Sequence, residues 1–221
     1  MQQHVANEVG QGETARRRKT RERLLEAAYE VFAETGVHGS SVEAIAERAG
    51  FTRGAFYSNF DSKEELFFAL AEREMLARFN NLQQGIDEIL PGVDASAVTD
   101  DISLAQIVTD FLNLQMDDRR WTLMQSEFRL HAMRDAGQAA QFLEYERDFR
   151  LRLAERLDVG LASVGLKFII DSEDATRLII NTCESALQES ILSNDGKPNV
   201  ATSPYATRTL PVLIRALTTP L

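Results

Sequence analysis

The fold is decided by residues 41–66, which read SVEAIAERAGFTRGAFYSNFDSKEEL. A short helix is predicted before Gly50, which allows a tight turn, and Thr52 can cap a second short helix after it. Ala46 is small where two such helices must approach closely. Two short helices joined by a tight turn are typical of a helix-turn-helix, whose second helix enters the major groove of DNA.

The residues before this stretch complete a three-helix pattern. Apolar residues at Leu24, Ala28 and Phe32 share one face of a first helix that starts near Ala15 and stops at Gly36, a residue free to take positive φ. The residues of Ser40–Glu43 fit a capping box, in which the Ser40 hydroxyl and the Glu43 carboxylate each satisfy an amide at the start of the next helix. Residues 61–65 can cap a fourth helix.

The outward side of the second short helix suits a polyanion. We expect Thr52, Arg53, Gly54, Tyr57, Ser58 and Asn59 to face outward, a set rich in hydrogen-bond donors and free of carboxylates. Arg53 is the best candidate for reading a base, because a guanidinium can grip O6 and N7 of guanine with two bonds. A contact with phosphate stays open as the alternative for Arg53.

Residues 20–70 resemble the DNA-binding domain of the TetR/AcrR family of bacterial transcriptional regulators. The resemblance is carried by Thr-x-Gly-x-x-Tyr-x-x-Phe at residues 52–60, followed by Ser-Lys-Glu at 62–64. It implies an all-helical homodimer with an N-terminal three-helix DNA-binding domain, joined by a fourth helix to a variable ligand-binding core. Proteins of this family usually repress, and a small molecule releases them from a near-palindromic operator.

The resemblance also implies contacts for individual residues. Ser41, Tyr57 and Lys63 match positions that bind phosphate, and residues 52–54 match positions that approach bases and backbone. Asn59 stands where many relatives have His, which leaves its contact open. For Tyr57, packing of the ring against the first helix is compatible with a hydroxyl at the phosphate. The predicted DNA-binding residues are Arg17, Arg18, Ser41, Thr52, Arg53, Gly54, Tyr57, Ser58, Asn59 and Lys63.

Charge is unevenly distributed along the chain. The formal net charge of −10 would argue against a nucleic-acid partner, yet residues 1–63 hold nine basic and nine acidic residues, so the deficit lies beyond them. Residues 16–23 carry six positive charges and one negative charge. We call Arg16–Lys19 the basic arm and predict that it binds phosphate or the minor groove. A solvated helix start is the alternative.

Composition excludes several protein classes. The 221 residues contain no apolar run near the roughly 20 residues that span a bilayer, and one cysteine cannot form an internal disulfide. With a polar N-terminus, these features predict a cytoplasmic protein that binds no membrane. No cofactor is expected. The expected fold is all-α, with a disordered tail at 1–14, the helix-turn-helix domain at 15–62 and a ligand-binding and dimerisation domain at 63–221.

Helical spacing continues through the second domain. Amphipathic helices are predicted over about 102–117, 120–134, 138–164, 173–193 and 204–217, with loops near 92–101 and 194–203. Pro211 should kink or break the last segment, because proline lacks a backbone donor and crowds the preceding turn. No residue pattern marks a strand.

Aromatic residues and methionine recur at helical spacing in two of these segments. They can line a cavity for an apolar or aromatic effector, and helical spacing is equally consistent with residues that fill the core. The candidate ligand-binding residues are Phe111, Trp121, Met124, Phe128, His131, Phe142, Tyr145 and Phe149.

The last two helices carry small and apolar residues that permit close helix approach. We expect them to form a four-helix bundle between two subunits, through Leu178, Thr182, Cys183, Ala186, Leu187, Val212, Leu213 and Ala216. Cys183 is interpreted as a small apolar core residue, with a redox-sensing thiol as the alternative.

Other functions find less support. Glu127 and His131 are four residues apart, a spacing that could hold a metal or an acid-base pair. The sequence shows no third metal ligand and no nucleophile at a spacing that would complete either site. An interaction module that has lost DNA binding conflicts with the intact Thr52, Arg53 and Tyr57. The sequence therefore predicts a regulator, not an enzyme: a homodimeric, ligand-responsive repressor on a near-palindromic operator.

Overall fold

Helices make up almost all of the described structure. The computed structural model of the protein describes residues 2–93, 101–114, 119–193 and 203–221. The helices are α1 (Gln2–Gly39), α2 (Val42–Arg48), α3 (Arg53–Tyr57), α4 (Lys63–Glu88), α5 (Asp101–Leu114), α6 (Arg119–Arg134), α7 (Ala136–Ser163), α8 (Ser172–Ser193) and α9 (Leu210–Leu217), with a 3-10 turn at Leu90–Gly92 and a π-helical turn at Tyr205–Thr209. The all-helical class is confirmed.

Two short strands depart from the expectation of no strand. β1 (Leu166–Phe168) pairs antiparallel with β2 (Thr218–Pro220), with Lys167 opposite Thr219. The amide of Leu221 also donates to the Gly165 carbonyl at 2.9 Å. Strands of three residues are too short to leave an alternating pattern in the sequence, so the pairing could be seen only in three dimensions.

The first helix starts earlier than the sequence predicts, at Gln2 and not near Ala15. Residues 2–14 contain no proline, and Gly10 and Gly12 weaken a helix without forbidding it. Gly36 interrupts the helix with φ 76° and ψ 159°, as expected of a residue that redirects the chain.

The chain divides into two units. The N-terminal unit contains Met1–Glu74 and Leu123–Arg134, and the C-terminal unit contains Met75–Thr122 and Asp135–Leu221. The C-terminal half of α6 thus belongs with the helix-turn-helix. The predicted division into 1–14, 15–62 and 63–221 stays a prediction.

Each unit has its own buried core. In the N-terminal unit the largest fully buried side chains include Phe32, Phe56, Phe60, Phe67 and Phe128. In the C-terminal unit a cluster formed by Leu104, Val108, Val164, Leu166 and Leu210 joins α5, the end of α7, β1 and α9.

Pro211 marks a break, as predicted. The backbone is π-helical over Tyr205–Thr209 and α-helical from Leu210, with Pro211 in the first turn of α9, where a missing donor costs nothing. The loops predicted near 92–101 and 194–203 lie mostly outside the described residues, as do residues 115–117 of the first predicted core helix.

Candidate functional site

The two short helices begin at capped residues. The Ser41 hydroxyl accepts a hydrogen bond from the Ala44 amide at 3.1 Å, and the Thr52 hydroxyl accepts one from the Ala55 amide at 3.2 Å. The predicted cap at Ser40 is wrong: Ser40 is buried and its hydroxyl donates to the Val37 carbonyl at 2.7 Å. Ser41 and Thr52 are both exposed, so each caps a helix while facing solvent.

Arg53 is the cation of α3. Its side chain is 63% exposed, and its guanidinium lies 2.8 Å from a carboxylate oxygen of Glu43 and 5.4 Å from the centre of the Tyr57 ring. A hydrogen bond to the Tyr57 side chain, and then the charge of Glu43, raise the pKa of Arg53. A permanent positive charge is thus held at the start of α3.

The rest of α3 presents small and polar groups. Gly54 and Ser58 are exposed, and the Ser58 hydroxyl donates to the Ala55 carbonyl at 2.8 Å. The Tyr57 ring is 44% exposed and meets the buried Phe56 ring edge-on at 5.4 Å. The Tyr57 ring is therefore partly exposed while it contacts Phe56 and Arg53.

The expected outward position of Asn59 is wrong. Asn59 is 8% exposed, and its amide nitrogen donates to the Ala55 carbonyl at 2.8 Å. The Arg21 guanidinium donates to the Asn59 carbonyl and lies 4.1 Å from the centre of the Phe60 ring. Since α3 ends at Tyr57, helical periodicity no longer sets the direction of residue 59, which turns into the core.

Lys63 is partly committed to the protein itself. Its ammonium group donates to the Val37 carbonyl at 3.0 Å and to the Ser40 carbonyl at 2.7 Å. An ammonium has three donors, so one stays available for a phosphate. Lys63 consequently holds the turn between α1 and α2 in addition to its predicted role.

The basic arm lies on helical backbone. Arg16, Arg17, Arg18 and Lys19 are all exposed. A helix is too wide for the minor groove of B-DNA, which is about 6 Å wide. Of the two predicted contacts, the helical backbone favours phosphate.

The turn between α1 and α2 is bound by α6. The Val37 amide donates to the Glu127 carboxylate at 2.9 Å, and a Cβ added to Gly36 would lie 2.1 Å from that carboxylate. The His131 ring lies 5.8 Å from the ring of His38. Among the described residues no three metal-ligating side chains cluster. Glu127 therefore has a structural contact with the turn after α1.

The predicted ligand-binding residues are divided between the units. Met124, Phe128 and His131 belong to the N-terminal unit, where Phe128 is fully buried and stacks on Phe67 at 3.8 Å. The others lie in the C-terminal unit: Phe111 packs against Gly85, Trp121 lies 5.6 Å from the Arg78 guanidinium, Phe142 is 6.3 Å from Tyr145, and Phe149 stacks on Phe79 at 5.5 Å.

The residues predicted at the dimer interface differ in their exposure to solvent. Leu178 and Val212 are exposed, with Val212 at 64%, and Ala216 is exposed as well. Thr182 and Leu187 are partly exposed. Ala186 is buried within its own chain, and Cys183 and Leu213 pack against the C-terminal core. A partner could therefore reach only part of the predicted set.

Cys183 is partly buried, and its thiol should react slowly. Desolvation, followed by the nearby charge of Glu184, raises the pKa of the thiol to about 12. We expect iodoacetamide at pH 8 to label the native protein more than about 100-fold more slowly than the urea-unfolded protein, because only the thiolate reacts. Mass spectrometry of timed samples measures both rates. Equal rates would contradict the burial and revive the redox-sensing alternative.

The sequence did not indicate which arginines hold the helix-turn-helix together. Arg23 donates to the Ala49 carbonyl at 2.7 Å and lies over the Phe51 ring at 4.5 Å. Arg48 pairs with Glu30 and Glu34 at 3.0 and 2.8 Å. Some of the positive charges counted over residues 1–63 are thus structural, a distinction that only the partner residues reveal.

Three comparisons with known proteins agree with this geometry. Residues 24–70 match a family described as bacterial regulatory proteins, tetR family. The chain is 28% identical to the HTH-type transcriptional regulator UidR of Escherichia coli K12 over 72% of its length and 85% of UidR. It is 40% identical to the HTH-type transcriptional repressor AcnR of Corynebacterium glutamicum over 34% of its length and 40% of AcnR.

A solved structure shares the fold. The transcriptional regulator FadR of Bacillus subtilis, in complex with stearoyl-CoA, is 24% identical with a TM-score of 0.63, over 86% of this chain and 96% of FadR. Within the parts of this chain that are described, every helix is too short or too polar to cross a bilayer.

Proposed function

We propose that the chain is a DNA-binding transcriptional regulator of the TetR family, as its family match over residues 24–70 and its similarity to UidR support. We further propose that it is a ligand-responsive repressor that binds a near-palindromic operator as a homodimer. The observation that carries the proposal is the common exposure of Arg53 and Tyr57 on α3, of Thr52, which caps α3, and of Ser41, which caps α2. These groups supply two hydroxyls at helix starts, a cation and a phenol to one surface. We place its action in the cytoplasm, where operator DNA is found.

Selection of DNA from a randomised duplex pool tests the operator. A homodimer should enrich an inverted repeat whose half-sites lie about one helical turn apart, because each α3 enters one major groove. Sedimentation of the protein on the selected DNA should give two chains per site. Enrichment of a single half-site, or a direct repeat, would exclude the proposed symmetry.

The direction of regulation is tested by transcription in vitro. With the selected operator placed over a promoter, added protein should lower the transcript yield. A rise in transcript yield would make the protein an activator.

The effector is proposed to be an apolar or aromatic small molecule bound in the C-terminal unit. Phe111, Trp121, Phe142, Tyr145 and Phe149 supply aromatic surface there, and the stearoyl-CoA in the similar FadR supports a ligand with an apolar body. Trp121 is the single tryptophan, so its fluorescence reports on this unit alone. A saturable change with fatty acids or acyl-CoA, matched by release of the operator, would support the proposal; binding without release would contradict it.

Arg53 should determine preference for one base pair. We expect Arg53→Ala to weaken operator binding by about 1–3 kcal/mol and to remove the preference at one position of each half-site. Arg17→Ala, in the basic arm, is the matched comparison and should weaken all sequences alike. Fluorescence anisotropy with operators substituted one base pair at a time measures both. If both variants lose affinity uniformly, Arg53 binds phosphate.

Lys63 is a poor probe of phosphate contact. Its replacement by alanine removes two hydrogen bonds to the turn between α1 and α2 together with any DNA contact. A loss of DNA affinity in Lys63→Ala would therefore combine a stability effect with an interface effect, and Arg17 is the cleaner choice.

A further inference from the structure

A carboxylate lies within the surface proposed to face DNA. Glu43, in the first turn of α2, is 57% exposed in its side chain, and its Oε1 lies 2.8 Å from Nη1 of Arg53. A negative charge beside a polyanion is repelled. Glu43 therefore weakens general attraction to DNA at the point where the best candidate for base reading is located.

The fold does not depend on this ion pair. The Ser41 and Thr52 hydroxyls cap α2 and α3, and both helices bury apolar side chains, Ile45 and Ala46 on α2 and Phe56 on α3. Exposed ion pairs add little to the stability of a folded chain. The main consequence of the Glu43–Arg53 contact is the direction in which the guanidinium points.

Two groups restrict Arg53. Glu43 holds one end of the guanidinium from α2, and the Tyr57 ring lies on another side at 5.4 Å. A free arginine side chain has many rotamers and turns toward the strongest negative potential, which on DNA is the phosphate backbone. A guanidinium has five N–H donors, so after one bond to Glu43 and one to Tyr57 it keeps enough of them to grip guanine O6 and N7.

We propose that Glu43 is a positioning residue that determines base specificity: it holds Arg53 in the orientation that reads a base and opposes its contact with phosphate. The inference rests on the proposed operator binding and adds a residue of α2 to the specificity determined by α3. Loss of Glu43 should thus reduce discrimination between bases while affinity for unrelated DNA increases.

The test compares wild type, Glu43→Gln and Glu47→Gln. Glu47 is exposed on the same helix one turn further on, so Glu47→Gln removes the same charge without touching Arg53. The Arg53-dependent base pair is the one whose preference disappears in Arg53→Ala. For Glu43→Gln we expect the preference at this base pair to fall about tenfold and affinity for random duplex to rise about threefold. Glu47→Gln should keep the wild-type preference.

Glu43→Asp separates positioning from charge. It keeps the negative charge but withdraws the carboxylate by one methylene group, so we expect a loss of base preference without a gain in affinity for random duplex. It also decides the matter if circular dichroism shows that Glu43→Gln does not fold. Circular dichroism melts of the other variants should match the wild type.

Several outcomes would overturn the inference. Wild-type base preference in folded Glu43→Gln or in Glu43→Asp would show that Arg53 needs no support. An equal loss in Glu47→Gln would assign the effect to charge alone. If Arg53→Ala loses no base preference, there is no base reader to position. If the wild-type protein selects no sequence at all, the proposed operator binding itself fails, and the inference fails with it.

Discussion

We expect Phe128→Ala to lower the free energy of unfolding of the N-terminal unit by about 3–5 kcal/mol. Phe128 is fully buried, lies parallel to the Phe67 ring at 3.8 Å and meets the Phe68 ring edge-on at 5.1 Å. Truncation removes both ring contacts and leaves a cavity that rigid neighbours cannot fill. Urea denaturation followed by circular dichroism at fixed protein concentration measures the change.

Met133→Ala is the matched control, because Met133 lies on the same helix and is 78% exposed. Its effect should stay within about 0.5 kcal/mol. The comparison also decides between the two interpretations of Phe128. A residue that only lines an effector cavity would leave the unfolding free energy unchanged within about 1 kcal/mol when truncated and would alter effector binding instead.

Operator affinity should depend steeply on salt. With four cations of the basic arm on phosphates in each protomer, the slope of log K against log salt should be about −7 for the dimer. Affinity would then fall about 10⁴-fold between roughly 50 and 200 mM salt. The physical cause is release of the counterions that DNA holds before the protein binds. Anisotropy titrations at four or five salt concentrations measure the slope.

Arg17→Ala should reduce the magnitude of that slope by about 2 for the dimer, one contact in each protomer. Arg177→Ala is the matched control: Arg177 is also an exposed arginine, but it lies in the C-terminal unit and pairs with Asp174. It should leave the slope unchanged. A wild-type slope near zero would contradict phosphate binding by the arm.

The helix-turn-helix could be predicted from the sequence because its signals are local. Gly50 turns the chain with φ 70°, Thr52 caps α3, and Gly36 takes the positive φ expected of it. These properties depend on residues a few positions apart, so spacing along the chain reveals them. The break at Pro211 was predictable for the same reason.

The errors concern the direction of polar side chains near the ends of short helices, which depends on how the surrounding chain packs. Ser40 turns inward to Val37 and leaves the cap to Ser41, while Asn59 turns inward once α3 has ended. Lys63 is drawn to carbonyls 23 and 26 residues away. Residue type told us that these groups form hydrogen bonds, but not with which atoms.

Helical spacing also could not distinguish residues that fill the core from residues that line a ligand cavity. Met124 and Phe128 share a face with Trp121, yet they belong to a different unit from it. The same period places a side chain on the inner face of a helix whichever neighbour covers it. For the same reason, helical spacing could not show which residues of the predicted dimer interface are available to a partner: Ala186 lies on the predicted face but is buried within its own chain.

The contact between Glu127 and the turn after α1 has a consequence for engineering. The residues that hold Val37 come from α4 and from α6, 26 and 90 positions along the chain. A chimeric regulator made by exchanging residues 1–62 alone would leave behind Lys63, Glu127 and Phe128. The exchangeable module is therefore discontinuous: a graft that keeps its operator should carry Leu123–Arg134 along with the N-terminal segment through Glu74.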